Sequence, residues 1–163
     1  VAHQRVQDGG RFLLHVPRDT DEPWSPGLAA YWERFGDHIG EETAGVSAPP
    51  ELGAVEVRVV RIRPAVVTSL VPQDLNVILE RQVLAPEQRF DLIIATNILL
   101  YYGIFEQSLA LSNLASMLRP LGLLLSNNYV YPLPDIPMVI VGETEVSYTG
   151  AATDDGVIWY QRQ

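Results

Sequence analysis

A chain of 163 residues with a formal charge of −9 suits one globular domain with a real core, and its acidic balance gives no field to draw in DNA or RNA. With 47% hydrophobic and 19% charged residues it is neither disordered nor fibrous, and the absence of cysteine excludes a disulfide framework, a thiolate zinc site and a cysteine nucleophile. No apolar run approaches the roughly 20 residues that span a bilayer, so neither a membrane nor a nucleic acid is expected as a partner, and a cytoplasmic setting fits.

Val1 in place of a methionine, followed by the polar run Gln4–Gly10, reads as a cut or processed start. Arg11–Val16, bounded by Gly10 and Pro17, is an apolar run too short for a helix and reads as a buried strand. Turn and cap residues from Pro17 to Pro26 lead into a helix predicted over Gly27–Phe35 and ended by Gly36. Its residues Leu28, Tyr31, Trp32 and Phe35 share one face, which reads as core packing. Gly40–Gly53, with Pro49-Pro50, reads as a loop. Val55–Ile62 alternates as a strand with one wet face, so Arg58, Arg61 and Arg63 read as a solvated sheet face. The β-branched run Val66–Val71 predicts another strand, stopped by Pro72, and Leu75–Val83 a short helix or irregular crossover.

Phe90–Ala95 is a continuous apolar run of the kind buried on both faces of a parallel sheet. Thr96-Asn97 leave the sheet, Ile98–Ile104 is apolar and aromatic, and Phe105–Arg119 carries Phe105, Leu109, Leu111, Leu114, Ala115 and Leu118 at helical spacing. Pro120 and Gly122 are expected to close that helix, and Gly122–Ser126 to form a second buried strand. Strand, helix and strand make a βαβ unit and an α/β class. Met138–Thr149 and Val157–Gln161 are two further strands, joined by Gly150–Gly156 as an antiparallel hairpin.

Three segments carry a family resemblance: Phe90-Asp-Leu-Ile-Ile-Ala-Thr-Asn-Ile-Leu-Leu-Tyr-Tyr102, Met117-Leu-Arg-Pro-Leu-Gly122 and Val157-Ile-Trp-Tyr-Gln-Arg162. In this order they resemble the carboxyl-terminal half of class I S-adenosylmethionine-dependent methyltransferases. Asn97 with Tyr101-Tyr102 is also similar to the strand exit of the chemotaxis-receptor methyltransferases. The resemblance implies a Rossmann-like methyltransferase sheet, with parallel strands, a C-terminal antiparallel hairpin and an incomplete N-terminus. Residues 1–65 would lead into the sheet and residues 66–163 would form the methyltransferase-like half-domain.

The same resemblance implies S-adenosylmethionine as methyl donor and a small-molecule or protein methyl acceptor. Asp74, after the third family strand, would accept a hydrogen bond from the adenine amino group, with Leu75 beside it and Asn97 completing the cofactor residues. Tyr101, Tyr102 and Asn127 would line the substrate pocket, with Asn128 secondary, and Asp91 reads as a structural partner near its strand's start. Two departures stand out. Leu121 occupies a glycine position of the family turn, which strains it, and no Gly-x-Gly follows a buried strand. The second departure supports the alternative of a non-catalytic methyltransferase-like fragment or pseudoenzyme serving as an interaction domain. His3, His15 and His38 are scattered without a carboxylate at ligand spacing, so neither a metal site nor a catalytic triad is expected.

Overall fold

The computed structural model describes residues 12–17, 24–44, 47, 50, 56–131, 133–146 and 155–163. The polar start, most of the turn after Pro17, most of the Pro49-Pro50 loop and nearly all of the hairpin connection lie outside the described residues. The fold is α/β with two sheets, and the chain divides into two compact units, the first ending at Pro72 and the second starting at Gln73.

The first unit comprises β1 (Phe12–Pro17), α1 (Pro26–Ile39), β2 (Gly40–Thr43), β3 (Val57–Ile62) and α2 (Pro64–Thr68). Its sheet has the order β1-β3-β2, antiparallel throughout, with Phe12 and Gly40 both opposite Ile62. The Ser25 hydroxyl accepts from the Leu28 N–H, and Pro26 supplies a pre-set φ at the first helical position of α1. Gly36 does not end this helix. It is buried within it, where an added Cβ would lie 3.2 Å from Val60 Cγ2, so the glycine permits close approach of α1 to β3. The aromatic stripe is only partly internal: Trp32 and Phe35 are half-buried and stacked with centroids 4.9 Å apart, while Tyr31 is exposed.

Residues expected as loop from Gly40 instead begin β2, and any Cβ at Gly40 would collide with the Arg61 carbonyl. The expected one wet face of β3 is also absent, because Val59 and Val60 are both buried in this central strand. Nor do Arg58 and Arg61 of this strand, or Arg63 just after it, merely face solvent. Arg58 donates to the Trp32 and Glu33 carbonyls, Arg63 to the His38 carbonyl, and Arg61 pairs with Glu41. The strand expected over Val66–Val71 is α2 followed by irregular chain. Pro64 starts a turn in which Val66 N–H donates to the Arg63 carbonyl at 3.0 Å and Thr68 Oγ1 to the Pro64 carbonyl at 2.9 Å. These local bonds override the β-branched preference.

The second unit holds β4 (Phe90–Ala95), α3 (Ile104–Met117), β5 (Leu118–Ser126), β6 (Met138–Val146) and β7 (Asp155–Arg162). Its mixed sheet has the order β4-β5-β7-β6, with β4 parallel to β5 and β7 antiparallel to both neighbours. The strand, helix, strand unit and the closing antiparallel pair read from the sequence are therefore present. Glu106 accepts from the Gly103 N–H at 2.9 Å and so caps α3. Ala110, Leu111, Leu114, Ala115 and Met117 pack from α3 against Leu99, Leu118, Leu124, Ile158 and Tyr160.

Two expectations change here. First, α3 ends at Met117, and the whole segment from Leu118 belongs to β5, with a register irregularity opposite Phe90–Leu92. Second, β4 is not buried on both faces: it is an edge strand whose Phe90, Leu92 and Ile94 are 38%, 47% and 60% exposed. Of the two forms expected for Leu75–Val83, the chain takes the irregular crossover, closed by Asn76 Oδ1 accepting from Ile78 N–H at 3.1 Å and pinned by Asn113 Nδ2 donating to the Val77 carbonyl at 2.9 Å.

Candidate site at the carboxyl edge of the parallel pair

Open α/β sheets bind ligands outside the carboxyl ends of their parallel strands. At that edge β4 ends at Ala95 and β5 at Ser126, which face each other in register. Two residues further on, the chain from β4 turns at Asn97, whose φ of 55° lies in the left-handed region that asparagine tolerates. Asn127, just past β5, locks this turn from the side. The Asn97 N–H donates to Asn127 Oδ1 at 2.9 Å, and Asn127 Nδ2 donates to Asn97 Oδ1 at 2.7 Å. This reciprocal pair uses facing atoms of both amides and leaves the Asn97 Nδ2 group as a donor for another acceptor.

Beyond Asn97 the chain makes a tight turn over Leu99–Tyr101, closed by the Tyr102 N–H on the Leu99 carbonyl at 3.2 Å. Leu99 is fully buried and anchors the exit. Tyr101 and Tyr102 are instead 76% and 37% exposed. The backbone of Tyr102 is held by Gln107, whose Nε2 donates to its carbonyl at 2.8 Å.

Of the other anticipated residues, Asp74 is exposed and Leu75 is partly buried against the core of this unit. No hydrogen bond joins either to the asparagine pair among the described residues. Asp91 pairs with Arg119 at 2.6 Å, as its structural reading anticipated. Asn128 contributes its carbonyl, which accepts from Tyr160 Oη at 3.1 Å, while its Oδ1 is shielded from solvent without a donor.

Sequence reasoning missed Tyr160 and the pair Tyr129–Glu143. Tyr160 is buried, and its hydroxyl accepts from the Val130 N–H at 2.7 Å, tying the segment after β5 to β7. Burial raises its pKa, against the opposing effect of the Val130 N–H. Its alternation within β7 with Ile158 was the available signal. The exposed Tyr129 donates to the Glu143 carboxylate, and this hydrogen bond chiefly raises the Tyr129 pKa, followed by desolvation and the charges of Glu143 and Tyr160. No sequence pattern joins residues on a loop and on β6.

The edge thus offers amide donors, exposed tyrosine rings and a tyrosine–carboxylate pair. Among the described residues, no group of histidine, aspartate and glutamate is arranged to hold a metal ion. The chain matches no protein-family model, and no curated protein matches it in sequence.

Proposed function

We propose that this chain carries the acceptor-side edge of an S-adenosylmethionine-dependent methyltransferase with a Rossmann-like sheet. The observation that carries the reading is the asparagine clasp, which joins the exits of two parallel strands at the edge where such sheets take ligands. The antiparallel pair that closes the sheet supports it further. Methyl transfer requires mainly that donor and acceptor be held in line and water excluded, so a site of amides and aromatic rings suits it without an acid–base pair. Asn97 Nδ2 would donate to the donor molecule, the exposed Asp74 carboxylate would accept from its adenine amino group beside Leu75, and Tyr101, Tyr102 and Asn127 would border the acceptor.

Calorimetric titration with S-adenosylhomocysteine tests this. Saturable heat is expected, with affinity reduced about tenfold or more in Asn127→Ala, the loss of a hydrogen-bonded pair being of that order. A folded protein that gives no heat removes the proposal. That outcome would favour a methyltransferase-like interaction domain, a reading supported by the exposed apolar side chains of β4 and the absence of a Gly-x-Gly loop.

A further inference from the structure

Two arginines converge at the end of the parallel pair opposite the asparagine clasp. Arg89 immediately precedes Phe90, whose partner across the sheet is Leu118. The Leu118 carbonyl in turn accepts a hydrogen bond from the Arg162 guanidinium. Both arginines are half-buried, and the Nε–H of each is shielded from solvent without an acceptor. Neither takes part in an ion pair among the described residues, and Asp91, the carboxylate next along β4, is engaged by Arg119.

Guanidinium groups stay protonated in proteins, so two of them near one strand end repel each other. A shielded N–H without an acceptor adds a desolvation cost to that repulsion. The Phe90–Leu118 register and the Arg162 bond to the Leu118 carbonyl place the two groups at one strand end, and burial, and after it the charge of Arg89, lower the Arg162 pKa. What the arrangement lacks is a negative group carrying several acceptor oxygens. Planar guanidinium forks match carboxylate and phosphate oxygens in pairs, which makes arginine the residue suited to such a group.

We propose that Arg89 and Arg162 form an oxyanion-binding site that seats a phosphate or carboxylate group between their guanidiniums. The site is distinct from the carboxyl edge, from which it is separated by the six residues of β4, roughly 20 Å at about 3.3 Å each. It does not depend on the methyl-transfer reading. The bound group offsets the repulsion, supplies the missing acceptors and fastens the last strand to the start of the parallel pair.

The test is thermal unfolding of the full chain in sodium phosphate, sodium acetate and sodium chloride at matched ionic strength, for wild type, Arg89→Gln and Arg162→Lys. With phosphate or acetate at tenfold its Kd, the wild-type midpoint should rise saturably by roughly 3–6 °C above that in chloride. The two salts identify which oxyanion is taken. Both variants should lose that increment, and because Arg162→Lys keeps the charge, its loss marks the fork geometry. Should Arg162→Lys fail to fold, Arg89→Gln decides alone. An equal rise in chloride, or a rise preserved in Arg89→Gln, overturns the proposal, since phosphate also stabilises proteins by exclusion from their surface.

Discussion

Leu121 and Asn97 both sit in left-handed backbone, at φ 63° and 55°, yet the two are not equivalent. Asparagine tolerates that region, whereas leucine carries a steric cost of about 1–2 kcal/mol there, partly offset when glycine's extra freedom in the unfolded chain is counted. The Leu121 side chain is 68% exposed and forfeits little burial. Leu121→Gly should therefore stabilise the second unit by about 1 kcal/mol, read as a higher urea midpoint at unchanged slope. Tyr160→Phe should cost about 1–3 kcal/mol, because the buried Val130 N–H loses its acceptor. The raised Tyr160 pKa adds a pH signature. The folded state holds this proton more tightly than the unfolded chain, so the contribution is full below about pH 10 and falls as pH rises through the folded value. Urea titrations at pH 8 and above 10 should show wild type losing more stability than Tyr160→Phe.

At the scale of elements, β4 and β5 have similar apolar runs but opposite sensitivities. Leu124 in β5 is fully buried, and Leu124→Ala should cost about 2–5 kcal/mol. Ile94 in β4 is 60% exposed, so Ile94→Lys should change stability by no more than about 0.5 kcal/mol and should reduce self-association in sedimentation. Equal destabilisation by both would contradict β4's position at the edge. The periodicity of α3 and the apolar runs of β4 and β5 were legible because each is a pattern carried along one local segment, whereas how deeply each run is buried depends on its place in the sheet. Val66–Val71 was misread because β-branched propensity says nothing about whether a neighbouring strand exists to pair with it. Gly36 was misread because a glycine that ends a helix and one that lets a strand approach are the same letter.

For the whole molecule, a charge of −9 spread over a small fold makes self-repulsion a measurable term. The three ion pairs among the described residues all lie at exposed side chains and contribute little. Raising sodium chloride from about 10 to about 150 mM should therefore increase the thermal midpoint, since the Debye length shrinks to about 8 Å. A falling midpoint would mean that attractive pairs outweigh the net repulsion. Composition and hydrophobic periodicity alone determined an α/β chain with a strand, helix, strand unit and a closing antiparallel pair, because those patterns record burial along the local backbone. The tertiary structure decided what depends on residues far apart in sequence. It set β4 at an edge, joined Asn97 to Asn127 across 30 positions, and brought Arg89 and Arg162 to the same strand end. Hydrogen bonds act at about 3 Å and charge repulsion within about a Debye length, and a linear pattern does not encode which distant segments the sheet brings within those ranges.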